Sequence, residues 1–192
     1  MTENETIVLA SASPRRQELL RQIGCGFRVV VSDAEELSGD GISPERLAVE
    51  NARRKAEDVA AKEGPDVPVL GADTVVAVDE TILGKPKDET DAVRMLRLLS
   101  GRQHFVYTGI ALVYRGDIYE DVVRTAVWVD ELSAKEIDAY IATGEPRDKA
   151  GAYAVQGIAA KYIPRIDGSF SNVVGLPLHA VKELARKAGI VL

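Results

Sequence analysis

Short apolar runs alternate along this chain with longer amphipathic stretches, and that alternation most constrains what it can fold into. Ile7–Ala10 and Phe27–Ser32 have the length and character of buried strands. Val67–Ala72 and Thr74–Val78 read as two strands or one bent strand, interrupted by Asp73. Between them lie segments with helical start and stop signals. Ser13-Pro14 pairs a capping residue with a proline at the first helical position, Leu19, Leu20 and Ile23 make its apolar stripe, and Gly24 ends it. Ser43-Pro44 repeats that signal and opens a helix running to about Lys62. Asp88–Ser100 places Ala92, Met95, Leu96 and Leu99 on one face. Strands and helices in this order give an α/β chain.

The second half adds antiparallel character. Phe105–Tyr114 and Ile118–Asp130 read as a hairpin turned at Arg115–Asp117, so the sheet is mixed. Ser133–Glu136 is a capping box for a helix ending at Gly144. Gly151–Asp167 reads as short strands, and Pro177–Ala188 as a last helix closed by Gly189. The expected architecture is one domain over residues 1–192, with two lobes around a cleft and the hairpin with its following helix dominating the second lobe.

Composition narrows the partners. A chain of 192 residues with net charge −6 lacks the basic surface that nucleic acid polymers require. No stretch has the length of a membrane span, and Ile7–Ala10 is too short for a signal peptide, so a cytoplasmic protein is expected. The single cysteine, Cys25, fits a reducing compartment and is given no role. His104 and His179 have no metal-ligand spacing and are read as structural.

Several segments carry candidate chemistry. In Ser11-Ala-Ser-Pro-Arg-Arg16 a strand enters a small-residue loop and then a helix, which points free N–H groups and the positive helix end at one place. Arg15 and Arg16 lie in the first turn, where the dipole disfavours cations unless an anion is bound. Taken alone, the segment is equally an ordinary capped helix. It is not a Walker loop, and no G-x-G-x-x-G occurs. Lys55 falls in a small, apolar stripe with Ala48, Ala52 and Val59; either it snorkels to water or it enters a cleft, with Glu36 as a carboxylate partner. Asp73 must be paired, hydrated or metal-bound, either at a strand end facing a cleft or in a turn between strands. Lys85 in Gly84-Lys-Pro86 is within reach of a phosphate or else a surface lysine. Gly144–Gly157, which contains Asp148, Lys149 and Gln156, and Gly168–Gly175 are glycine-flanked polar loops, each weak as a signal by itself.

Together and in order, Ser11–Arg16, Lys55-Ala56, Gly71–Thr74, Gly84–Pro86, Gly144–Gly157 and Gly168–Pro177 resemble the Maf family of septum formation inhibitor-like proteins, regarded as nucleoside triphosphate pyrophosphatases. The resemblance implies a fold related to the inosine triphosphate pyrophosphatases, an active site in a cleft, a divalent cation (magnesium, with manganese or cobalt as alternatives) and a homodimer. It implies Asp73 as proton acceptor, with Lys55 and Lys85 catalytic and Asp73 and Glu36 as metal ligands. Ser11, Ser13, Arg16 and Glu36 fall to substrate binding, while Arg15, Thr74 and Gln156 match positions tied to substrate choice. The form Asp148-Lys-Ala-Gly-Ala-Tyr153 followed by Gln156-Gly157 resembles the branch acting on dTTP and UTP rather than the sister branch acting on 7-methyl-GTP. Val155, where isoleucine is more usual, is a conservative departure. The other class to weigh is a non-catalytic nucleotide-binding regulator of cell division.

Overall fold

The computed structural model describes residues 7–39, 41–79 and 81–192; the acidic stretch Met1–Thr6 lies outside them. The described strands form one mixed sheet in the order β2-β1-β3-β5-β6-β7, with β4 added to β3. Here β1 is Ile7–Leu9, β2 Phe27–Val29, β3 Val69–Val78, β4 Thr81–Leu83, β5 Gln103–Tyr114, β6 Asp117–Trp128 and β7 Arg165–Asp167. The pairs β1–β2 and β1–β3 are parallel, and the rest are antiparallel. The expected hairpin is therefore present, and β5 pairs with β3 over nine residues, so the hairpin belongs to the same sheet as the N-terminal strands.

Alternation along β3 explains the layers. Val69, Val75 and Ala77 pack on the face covered by α2 (Pro44–Glu63), while Leu70, Ala72, Val76 and Val78 join the large cluster on the other face. That second cluster takes in α1 (Pro14–Gln22), α3 (Glu89–Leu99), α4 (Ala134–Ile141) and α6 (Leu178–Lys187). Both faces of β3 are covered, which is why its sequence is almost wholly apolar.

α2 lies unusually close to the sheet. Ala48, Ala52 and Ala56 are fully buried against it. A Cβ on Gly71 would sit 2.1 Å from the Ala52 carbonyl oxygen, and one on Gly109 would sit 2.3 Å from the Ala48 carbonyl carbon. Only glycines opposite a row of alanines permit this approach.

Four expectations are corrected. Gly151–Asp167 is not a set of strands: it folds mainly as 3-10 turns at Ala150–Ala152 and Ile158–Tyr162, and only Arg165–Asp167 pairs with the sheet. The second strand stops at Val29 rather than Ser32. Ile23 is exposed and does not complete the α1 stripe. Asp73 is neither at a strand end nor in a turn; it is the fifth residue of a continuous ten-residue strand. Three elements were not anticipated: β4, a 3-10 turn at Glu145–Asp148 and the short helix α5 (Phe170–Val174) inside the second polar loop.

Candidate active site

An interruption in the sheet creates the site. On one side of β3, pairing with β1 ends at Leu70, and pairing with β4 begins only at Val76. The intervening edge, Gly71–Val75, opens on a cleft of about 1160 Å³. Because side chains alternate, Asp73 leaves β3 toward α2 and Thr74 leaves it toward α1 and α5. The cleft at the exposed edge is lined by both. Its walls also include the loop after β1, residues 36–39, Gly41, Ile42, Lys85, Asp148–Lys149, Tyr153–Gln156 and Gly175.

On the α2 side a lysine holds two carboxylates. Lys55 Nζ lies 2.7 Å from Asp73 Oδ1 and 2.6 Å from Glu36 Oε1. The Lys55 side chain is 14% exposed and that of Asp73 11%, so this lysine enters the cleft rather than snorkelling away from it. Asn51, one turn before Lys55, donates from Nδ2 to Asp73 Oδ2 at 3.2 Å and accepts the Leu37 N–H on Oδ1 at 2.7 Å. It thereby ties the Glu36 segment to β3. Sequence reasoning missed Asn51; its i,i+4 relation to Lys55 on a helix face was the available signal. Burial pushes the Glu36 carboxyl up, but the hydrogen bond and charge of Lys55, aided by Lys85 and Arg16, outweigh it and hold the group below the usual carboxylate range.

On the other side Arg16 is a brace. Its Nε donates to the Gly175 carbonyl at 2.8 Å, Nη1 to Ser11 Oγ at 2.9 Å and Nη2 to Thr74 Oγ1 at 3.1 Å. Thr74 Oγ1 is 2.9 Å from Thr108 Oγ1, which donates to the Asn172 carbonyl at 3.0 Å. Burial pulls the Arg16 guanidinium pKa down, opposed by the nearby Asp73 charge. One arginine thus joins the loop after β1, β3 and the end of α5. Ser13 is the N-cap of α1 but makes no side-chain cap bond, which leaves its hydroxyl in the cleft wall. Arg15 extends along the rim to 3.8 Å from Asp148 Oδ2. Lys85 and Gln156 are exposed residues of the lining.

All the residues singled out from sequence, namely Ser11, Ser13, Arg15, Arg16, Glu36, Lys55, Asp73, Thr74, Lys85 and Gln156, therefore line one cleft. Lys149, which sequence reasoning placed only within a charged loop, lines it too, with Nζ 2.8 Å from the Glu145 carbonyl and 2.5 Å from Asp148 Oδ1. His104 is fully buried and does not line the cleft, its Nε2 lying 2.8 Å from the hydroxyl of the wall residue Tyr153.

A triphosphate carries several negative charges, and this wall offers it lysines, arginines and a helix N-terminus, with the buried Asp73 and exposed Glu36 carboxylates beside them. Fold and site together define an α/β protein with one cleft in which cationic side chains converge with the carboxylates of Glu36 and Asp73. The chain belongs to the Maf family: the family model described as Maf-like protein matches residues 6–188. The dTTP/UTP pyrophosphatase of Geotalea uraniireducens is 52% identical to it over 194 residues, covering 100% of this chain and 99% of that one. The dTTP/UTP pyrophosphatase of Vibrio cholerae serotype O1 is 46% identical over 181 residues, covering 94% and 97%. Among solved structures, a nucleoside-triphosphatase (dITP/XTP pyrophosphatase) from Mycobacterium abscessus aligns with 72% of this chain and 94% of its own, at a TM-score of 0.40 and 18% identity.

Proposed function

We propose that this chain hydrolyses dTTP and UTP to the nucleoside monophosphate and pyrophosphate. The observation that carries the reading is the Lys55 ammonium held between Asp73 and Glu36 in the cleft that Arg15, Arg16, Lys85 and Gln156 also line. Relatives of this length and identity, named dTTP/UTP pyrophosphatase, support the substrate.

The chemistry assigns each group a task. The oxygen of water attacks the α-phosphorus, the bond from that phosphorus to the bridging oxygen breaks, and pyrophosphate leaves with the bond's electrons. Asp73 takes the proton. Its two oxygens each hold one protein hydrogen bond, and a carboxylate has lone pairs for more. As phosphate oxygens reach Lys55, they share its ammonium and free Asp73 Oδ1 for this proton. Lys55, Lys85 and Arg16 counter the charge that develops on the leaving group. Arg15, Thr74 and Gln156 fall to substrate selection, and the Gln156 amide has both the donor and the acceptor that the edge of thymine or uracil requires.

A divalent cation fits this donor set. Two carboxylates already converge on one positive charge, and magnesium is commonly held by one or two carboxylates together with substrate phosphates. Asp73 and Glu36 would hold it, with magnesium first and manganese or cobalt as alternatives. When bound, it supplies charge neutralisation on the phosphates. The same reading carries a cytoplasmic setting and a homodimer, the latter checked by light scattering of the purified chain. Among the described residues no helix is long and apolar enough to cross a membrane.

The test is hydrolysis of dTTP with magnesium in ¹⁸O-labelled water. The expected products are labelled dTMP and unlabelled pyrophosphate. Label in pyrophosphate places the attack at the β-phosphorus and overturns the mechanism. Binding without turnover makes the chain a sensor, and preferred turnover of 7-methyl-GTP moves the substrate to another base.

A further inference from the structure

Gln156 lies in an irregular segment between two 3-10 turns, Ala150–Ala152 and Ile158–Tyr162, with no strand or long helix to fix it. Two residues outside the cleft lining hold both of its flanks. Ahead of it, the Ala154 N–H donates to the Tyr140 hydroxyl at 3.3 Å. Behind it, the Ile158 N–H donates to Glu145 Oε2 at 2.9 Å and the Ala159 N–H to Glu145 Oε1 at 3.4 Å. The two anchors are joined, because the Tyr140 hydroxyl donates to Glu145 Oε1 at 2.7 Å. Gly157 makes room: a Cβ there would sit 2.2 Å from Glu145 Oε2. Burial resists ionisation of Glu145, but hydrogen bonds from the Ile158 N–H, the Tyr140 hydroxyl and the Ala159 N–H prevail and hold its pKa below the usual carboxylate range.

We propose that Tyr140 and Glu145 are positioning residues that set the enzyme's base selectivity by clamping the Gln156 segment from behind. This rests on the assignment of Gln156 to the base. Glu145 is charged, so its bonds to the loop N–H groups are of the stronger, charge-assisted kind. A neutral amide in its place must turn its N–H donors toward either the Ile158 N–H or the Ala159 N–H, and that loop N–H loses its acceptor. The loop then samples positions in which Gln156 no longer meets the base edge, while the Asp73–Lys55 side is untouched. The loss falls on discrimination rather than on the chemical step.

The experiment measures kcat and KM for dTTP and dCTP in the parent, Glu145→Gln, Tyr140→Phe and Gln156→Ala, with circular dichroism to confirm folding. The ratio of kcat/KM values, dTTP over dCTP, is expected to fall about tenfold in Glu145→Gln and Tyr140→Phe through a higher KM for dTTP, the scale of one lost hydrogen bond. Their kcat for dTTP is expected to stay within about threefold of the parent, since the chemical step keeps its own contacts. If Glu145→Gln fails to fold, Tyr140→Phe carries the test. A Gln156→Ala enzyme that loses selectivity while both clamp variants keep it overturns the clamp alone. So does an equal fall for both substrates, the mark of a merely structural role. A parent without preference for dTTP, or a Gln156→Ala enzyme that retains it, overturns the reading of Gln156 and the clamp with it.

Discussion

The close seating of α2 on the sheet makes Gly71→Ala an informative perturbation, because one methyl group strains fold and site together. Its Cβ would fall 2.1 Å from the Ala52 carbonyl oxygen, 2.9 Å from the Ala56 nitrogen and 3.0 Å from the Ala56 Cβ. These are mainly backbone atoms and cannot swing aside. To restore even a tight separation of 3.0 Å, the helix must retreat by about 0.9 Å at this point. Overpacking of this kind costs about 2 kcal/mol. For a chain of this size that lowers Tm by about 4–8 °C. Ala52 and Ala56 bracket Lys55, so the same retreat lengthens the 2.7 Å contact with Asp73. A displacement near 1 Å in a catalytic group costs up to roughly 10²-fold in rate. Differential scanning calorimetry and pyrophosphate release measure the two effects in one sample. Gly109→Ala meets Ala48 instead, seven residues before Lys55, and is expected to lose similar stability but less activity. Gly84→Ala, with open space around its Cβ, is expected to keep its Tm. A Gly71→Ala protein with Tm within about 1 °C of the parent and full activity would refute the argument, since such overpacking has no cost-free accommodation.

Other outcomes follow from the same contacts. Asp73→Asn keeps shape but removes the charge facing Lys55, and is expected to lower turnover of dTTP on the order of 10² or more with the fold retained; an active Asp73→Asn enzyme removes Asp73 as proton acceptor. Arg16→Lys cannot span Gly175, Ser11 and Thr74 together, and is expected to lose about 2 kcal/mol in urea unfolding. Burial lowers the His104 pKa from 6.5 to about 4. The folded state therefore binds fewer protons than the unfolded chain between those values, and stability is lost as pH falls from 6.5 toward 4. The full shift is worth about 3 kcal/mol, which a His104→Gln variant lacks in the same pH series. Equal pH slopes for parent and variant would contradict it.

Much of the site was legible from residue types in order. Arginines at a capped helix start, a lysine in an alanine stripe and an aspartate in an apolar run are local anomalies, and each local sequence carries its own anomaly. Periodicity also marked α2, α3 and the hairpin, because their apolar spacing repeats over many residues. The segment from Gly151 to Asp167 was misread because its buried run, Gly151–Val155, reflects packing under α3 and β3 rather than pairing in a ladder. Apolar runs of that length do not distinguish the two.

The sequence by itself determined the α/β class, the helix caps and the residues able to carry charge into a cleft, because each depends on neighbours within a few positions. Only the tertiary structure decided what those residues meet. The missing ladder between Leu70 and Val76 opens β3 where Asp73 and Thr74 point to opposite faces. The glycine–alanine contact brings Lys55 down to Asp73 and Glu36, and it spans residues far apart in the chain. Arg16 is also a brace, because Thr74 and Gly175 reach it only once the chain has closed around it. Such partners are set by packing between distant segments, which no short window of sequence contains.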